Sequence, residues 1–275
     1  MKERVMRWVF ALTACASIAA VILICVFLFA NGVPAMAEIG FFNFVGGQRW
    51  KPSSGLYGIW PMIVGSLYVT AGALIVGVPA GIFTAMYLAR FCNKRLYRFL
   101  KPAINLLAGI PSVVYGFFGL VVLVPLVREW LGGTGMSTLT ASVLLGIMIL
   151  PTIIGVAESA IRAVPEAYYE GALALGATHE RSVFFVVLRA ARSGVVLGIG
   201  RAIGETMAVI MVAGNQPYIP SSILDGVRTM TTNIVLEMGY ATDLHREALI
   251  ATAVVLFVFI LLINALFAVI KRRMK

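Results

Sequence analysis

The stretch VPEAYYEGALALGA at residues 164–177 decides the organisation of this chain. It is helix-compatible, rich in Ala and Gly, and lies between two segments apolar enough to cross a membrane. The second of these, residues 194–214, carries Arg201 and Glu205 within otherwise lipid-compatible sequence. A charge near the bilayer centre costs about 2.5–3.5 kcal/mol even on a lenient scale, so both residues suggest a function. Together the two segments indicate a cytoplasmic docking helix and a polar path across a membrane, which points to transport.

The composition excludes a water-soluble globule. Of all residues, 60% are apolar and 12% are charged, whereas soluble domains have about 25% charged residues. Six runs reach the roughly 20 residues that a membrane helix needs; they are residues 8–30, 63–89, 102–127, 138–157, 194–213 and 248–270. Lipid offers no partners to free backbone groups, so these runs are expected to be helices. The sequence therefore predicts an all-α membrane protein with six transmembrane helices in a single domain over residues 1–275.

The basic residues define an orientation. The net charge is +10, and 16 of the 22 Lys and Arg residues lie on one side of the predicted spans. The positive-inside rule places that side, with both termini and the loop 158–193, in the cytoplasm. The basic excess therefore reflects membrane topology, and no nucleic acid is expected as a partner. The expected location is the cell (inner) membrane, with lipid around a multi-pass chain.

The cysteines and the N-terminal sequence add no further chemistry. Cys15, Cys25 and Cys92 have no plausible disulfide partners and no metal-ligand spacing. We expect no metal, no redox role and no cofactor bound by this chain. Residues 35–37, AMA, fit a signal-peptidase site, but the apolar run 8–30 exceeds the about 7–15 residues of a signal-peptide core. An uncleaved first helix is predicted.

Each of the three long loops allows two interpretations. The external loops 31–62 and 215–247 are rich in aromatic and charged residues. Their aromatic side chains are either interfacial anchors or part of a lid or docking surface for an external partner. The cytoplasmic loop 158–193 has the length of two short helices, with Pro165 in a first turn, Gly176 as a stop and Thr178 as a cap. It is either a docking element or an ordinary interfacial loop.

The cytoplasmic loop resembles the EAA loop of ABC-importer permeases. The matching residues are EGA at 170–172, Gly176, and VVL at 186–188. Gly171 replaces the usual first Ala, and Arg189 stands where that family commonly has Pro, which puts the helix break there in question. In the family this loop forms a coupling helix that docks on the ATP-binding subunit. The resemblance therefore implies that Glu170, Gly171, Ala172 and Gly176 couple the chain to an ATPase.

Further motifs resemble phosphate permeases of the PstC type over nearly the whole chain. They are YGIWP at 57–61, GIPSVVYG at 109–116, ILPT at 149–152, RAIGETMAV at 201–209, TTNI at 231–234 and EMG at 237–239. The TMAV at 206–209 favours PstC over the sister subunit PstA. The resemblance implies a type I ABC importer permease fold and inorganic phosphate as substrate. It also implies three partners: a PstA-type second permease subunit, a dimer of ATP-binding subunits, and an extracytoplasmic phosphate-binding protein.

Arg201 and Glu205 are the candidate substrate pathway. Residues four apart share a helix face, so the two can pair, either as an architectural ion pair or as part of a path. In the PstC family the matching residues lie on the phosphate path. A guanidinium matches phosphate bidentately. We expect Glu205 to neutralise Arg201 between cycles and to accept a hydrogen bond from protonated phosphate.

Other functions remain as alternatives. The sequence has no Gly-Lys dipeptide and hence no Walker A loop, so this chain is not expected to be an enzyme, and ATP is used by a partner. The alternatives are a permease for molybdate or phosphonate, a secondary transporter or channel, and a non-transporting sensor. Uptake that depends on ATP and a co-expressed ATPase separates the importers from the last two classes.

Overall fold

Long apolar helices dominate the part of the chain that the structure describes. The computed structural model describes residues 2–189, 204–205 and 207–273. Within these residues, five helical stretches are long and apolar enough to cross a membrane: Val5–Ile39, Trp60–Phe91, Ser112–Leu131, Thr138–Arg162 and Asp243–Leu266. They correspond to five of the six predicted spans and confirm an all-α architecture. The remaining span, 194–213, falls mostly outside the described residues, as does Arg201.

The described elements follow in chain order. The helices are α1 (Lys2–Ile39), α2 (Phe41–Gly46), α3 (Trp60–Met86), α4 (Lys94–Gly109), α5 (Ser112–Phe118), α6 (Val124–Leu131), α7 (Thr138–Arg162), α8 (Glu166–Ala174), α9 (His179–Ser182), α10 (Met207–Val212), α11 (Met230–Glu237) and α12 (Asp243–Arg273). Three π-helical segments are Tyr87–Phe91, Gly119–Leu123 and Val183–Val187, and Pro52–Ser54 is a 3₁₀ turn. Strands β1 (Trp50–Lys51) and β2 (Leu56–Tyr57) pair antiparallel.

The first helix is longer than the predicted span 8–30. It continues to Ile39 with Pro34 inside it, so residues 31–39 are not loop. Gly32 explains the extension, because a Cβ there would lie 2.7 Å from Val254 Cγ2 and 3.1 Å from Ala251 Cα. The helix therefore packs closely on α12 at this point, and tertiary packing extends it beyond the apolar run.

The predicted span 102–127 differs at its start. Residues 102–109 belong to α4, a separate helix that carries the basic residues of the loop before it. The chain then becomes extended at Ile110 and turns into the membrane-length stretch Ser112–Leu131. Pro111 is the cause, because a proline disfavours helical backbone in the residue before it. The predicted external loop 215–247 likewise contains α11 and the first turn of α12.

The described residues group into two compact units, Met1–Trp60 with Ile234–Val258 and Pro61–Asn233 with Phe259–Lys275. The single domain over residues 1–275 stays a prediction.

In the second unit, one apolar core joins α3, α5, α7 and α10 through side chains that include Val69, Tyr115, Leu144, Ile149, Val209 and Val212. Another core lies under the segment with α8 and α9 and includes Met86, Leu88, Ala157, Ile161, Val164, Val183 and Val187. This second core fixes where α8 and α9 leave the membrane helices.

Candidate functional site

The predicted coupling residues lie on one short helix and the turn that ends it. Helix α8 begins directly after Pro165, whose missing N–H costs nothing at this position. Glu170 and Gly171 are exposed, and Ala172 is half-buried. A Cβ at Gly171 would meet no atom within 4 Å. The helix therefore presents a flat surface of small residues beside a carboxylate.

Gly176 ends α8, as the sequence predicts. Its φ of +82° is in the left-handed region that glycine adopts without strain. The N–H of Gly176 donates to the Leu173 carbonyl at 2.9 Å, and the N–H of Ala177 donates to that of Ala172 at 3.1 Å, which is a Schellman ending. Thr178 then caps α9, since its hydroxyl accepts from the Arg181 N–H at 3.4 Å. The segment is therefore two short, well-capped helices.

Apolar side chains around α8 project from the described structure. Tyr168 is 58% exposed, Leu173 40% and Leu175 92%. Tyr168 and Leu173 belong to α8, and Leu175 is the residue directly after its end. The described chain is helical up to Arg189, where this described range ends, and the Arg189 guanidinium lies 5.7 Å from the Phe185 ring.

A charge cluster around one buried carboxylate lies at the base of this segment, and no sequence motif predicted it. Glu158, on α7, is 2% exposed. Its carboxylate accepts from Tyr97 Oη at 2.8 Å, from Lys101 Nζ at 2.6 Å and from Arg162 Nε at 2.9 Å. The hydrogen bond to Glu158, together with burial, raises the pKa of Tyr97 above its ordinary value. Arg162 also donates to the Leu88 carbonyl at 2.9 Å. The local signals for this cluster are two i, i+4 spacings, Glu158 with Arg162 and Tyr97 with Lys101, and neither one links the two helices.

Glu205 lies beside a polar segment of the same unit. Its side chain is half-buried, and its backbone carbonyl accepts from the Thr231 hydroxyl at 3.2 Å. The pairing of Glu205 with Arg201 lies outside the described residues. Thr231 belongs to a buried run of polar residues at the start of α11, namely Thr229, Thr231, Thr232 and Asn233. Their hydroxyls satisfy one another, since Thr229 Oγ1 lies 3.0 Å from Thr231 Oγ1 and donates to Thr232 Oγ1 at 3.1 Å.

The family assignment follows from a direct match. Residues 77–275 match the family described as binding-protein-dependent transport system inner membrane component. The chain belongs to this family.

Relatives of the permease support this assignment along most of its length. It is 40% identical over 271 residues to the probable ABC transporter permease protein YqgH of Bacillus subtilis, covering 92% of this chain and 88% of that protein. It is 34% identical to the phosphate transport system permease protein PstC of Mesorhizobium japonicum, covering 87% and 80%. With PstC of Pasteurella multocida the identity is 35%, covering 78% and 75%.

Solved structures give the permease its fold. The methionine ABC transporter MetNI in an inward-facing conformation matches with a TM-score of 0.57 at 24% identity, covering 79% of this chain and 94% of that chain. An amino acid ABC transporter with bound histidines matches with a TM-score of 0.54 at 19% identity, covering 78% and 93%. The permease is thus a multi-pass membrane protein with the type I ABC importer fold. Among the described residues, no group of three His, Cys, Asp or Glu side chains is placed to hold a metal ion.

Proposed function

We propose that this chain is the membrane-spanning subunit of an ATP-driven importer of inorganic phosphate and forms half of its translocation pathway. The similarity to PstC proteins at 34–35% identity over more than three quarters of the chain carries the proposal. A second permease subunit of the PstA type supplies the other half of the pathway. An extracytoplasmic phosphate-binding protein delivers the substrate.

Helix α8 docks on a dimer of ATP-binding subunits. Its exposed Glu170 and Gly171, the Schellman turn at Gly176 and the projecting Leu175 form a rigid protrusion. The basic loops on the same side place it in the cytoplasm by the positive-inside rule. Both termini lie there as well, and the membrane is the cell (inner) membrane. The permease binds no cofactor itself, since ATP is hydrolysed by the partner.

Arg201 contacts phosphate during passage, and Glu205 tunes that contact. A guanidinium stays charged when partly desolvated and matches the oxygens of phosphate. The contact is brief, because conduction requires binding strong enough for entry and weak enough for release. A Glu205 carboxylate accepts a hydrogen bond from a protonated phosphate oxygen, which sulfate does not carry near neutral pH.

Reconstituted vesicles test the proposal. The four-part importer is purified, and uptake of labelled phosphate is measured with ATP, without ATP and with a non-hydrolysable analogue. Uptake is expected only with ATP, and Arg201→Ala is expected to abolish it while the subunits still co-purify. Glu205→Gln is expected to reduce the preference for phosphate over sulfate. Uptake without the ATPase would instead support a secondary transporter or channel, and competition by molybdate or a phosphonate at equal concentration would support a different oxyanion.

A further inference from the structure

The cytoplasmic end of α3 holds helix α8 through one arginine. Arg90 lies in the π-helical segment Tyr87–Phe91, and its side chain is 13% exposed. Its NH1 donates to both carboxylate oxygens of Glu166, at 3.0 and 2.9 Å. Glu166 is the first residue of α8. The start of the coupling helix is therefore tied to the end of a membrane-spanning helix 76 positions earlier in the chain.

Aromatic contacts reinforce the same junction. The Arg90 guanidinium lies 5.5 Å from the centre of the Tyr169 ring, on the same helix as Glu166. The Tyr169 hydroxyl is 2.7 Å from His179 Nδ1, and the His179 ring packs edge-on at 4.6 Å against Phe91. The π-helical segment thus supplies both Arg90 and Phe91 to the coupling loop. Such segments are frequent at functional sites.

The ion pair is suited to positioning and adds little stability. Glu166 is 56% exposed, and exposed ion pairs contribute little free energy. The Arg90 side chain is nevertheless mostly enclosed, at 13% exposed, and its Nε has no hydrogen-bond partner. A largely enclosed guanidinium with one anchored end has few alternative orientations. Removing it should leave the fold intact and free the start of α8.

The geometry points to Arg90 as a positioning residue that transmits movement of α8 to the second membrane span. This inference rests on the proposed function. When the ATP-binding subunits move α8, the Arg90–Glu166 pair carries the displacement into α3. Without the pair, α8 turns about the link at Pro165, and ATP is hydrolysed without a matching change in the membrane helices.

Arg90→Met tests this role in the complete importer. Phosphate uptake per ATP hydrolysed is expected to fall by about fivefold or more, with ATPase subunits still bound. Stimulation of ATP hydrolysis by phosphate-loaded binding protein is expected to be lost. The matched control is Arg98→Met, which removes the same charge from an exposed residue of α4 without a described ion pair. Its uptake per ATP should equal that of the wild type.

A charge reversal separates positioning from folding. Arg90→Glu alone should uncouple the importer, and Arg90→Glu combined with Glu166→Arg should restore much of the ratio. If Arg90→Met keeps the wild-type ratio and stimulation, the positioning role is wrong while the proposed function stands. If the double variant remains as uncoupled as Arg90→Glu, the Arg90–Glu166 ion pair does not transmit movement from α8 to α3. If the wild type itself shows no ATP-driven phosphate uptake, the proposed function fails, and this inference with it.

Discussion

Trp50 donates its indole N–H to a carboxylate oxygen of Glu237 at 2.8 Å, across 187 positions of sequence. Glu237 is 7% exposed, and His245 Nε2 lies 2.8 Å from the same oxygen. The Trp50 ring also packs edge-on against Tyr57 at 5.8 Å. The two long loops predicted to face outward are therefore joined by a polar contact within an aromatic cluster. Some of their aromatic residues, such as Trp50, therefore hold the two loops together. A lid or a docking surface formed by these loops stays a prediction.

Trp50→Phe should destabilise this junction. Phenylalanine keeps an aromatic ring but leaves the buried Glu237 with one donor fewer, which costs about 1–3 kcal/mol. We expect a melting temperature lower by about 2 °C or more and faster proteolysis of the loop 31–62. Trp130→Phe is the control, because Trp130 is 77% exposed. Equal behaviour of the two variants would contradict a structural role for the Trp50 hydrogen bond.

Lys101→Met should weaken the packing of α4 against the C-terminal end of α7. The substitution keeps the length of the side chain but removes the ammonium that lies 2.6 Å from the Glu158 carboxylate. Tyr97 and Arg162 remain as donors, so the expected loss is about 1–3 kcal/mol and not complete unfolding. Thermal unfolding of the purified permease measures it. Lys94→Met changes an exposed lysine of α4, the helix that also carries Lys101, and should unfold at the wild-type temperature. An equal drop in melting temperature for both variants would contradict a stabilising role of the Lys101–Glu158 ion pair.

Local features of this fold could be predicted, and distant contacts could not. The apolar runs, the Gly176 stop and the Thr178 cap each depend on a few neighbouring residues, and the structure has them. Arg90 and Glu166 are 76 positions apart, and no periodicity connects them. The extension of α1 to Ile39 depends on Gly32 packing against α12, which a hydropathy run does not encode. Charge partners at the membrane surface therefore require the packed structure.

Gly65→Ala should separate α3 from the segment before α11. A Cβ at Gly65 would lie 2.5 Å from the Arg228 carbonyl oxygen and 2.6 Å from Val227 Cγ2. Relief requires a backbone shift, and overpacking of this kind costs about 1–3 kcal/mol. It would also strain the hydrogen bond from the Met230 N–H to the Ser66 hydroxyl, now 3.0 Å. A lower melting temperature is the expected result.

Gly155→Ala provides the comparison for Gly65→Ala. Gly155 lies within α7, and a Cβ there would meet no atom within 4 Å. Alanine is the better helix former by about 1 kcal/mol, so this variant should be as stable as the wild type or more so. If both alanine variants unfold at the same temperature, close packing at Gly65 is not the reason for its glycine.

Leu175→Gln should weaken binding of the ATP-binding subunits without affecting the fold of the permease. Leu175 is 92% exposed at the end of α8, and its backbone N–H donates to the Gly171 carbonyl at 3.2 Å, a bond that glutamine keeps. Full burial of an exposed leucine side chain contributes about 1.5–3 kcal/mol, and about 1.4 kcal/mol corresponds to a tenfold change in affinity. Binding of the purified ATPase to the permease, measured by titration, is expected to be about tenfold weaker or more. Leu56→Gln is the control. Leu56 is an exposed residue of strand β2 in the loop predicted to face the outside, so this variant should bind the ATPase as the wild type does. Wild-type affinity in Leu175→Gln would place the docking surface elsewhere on the loop that contains α8 and α9.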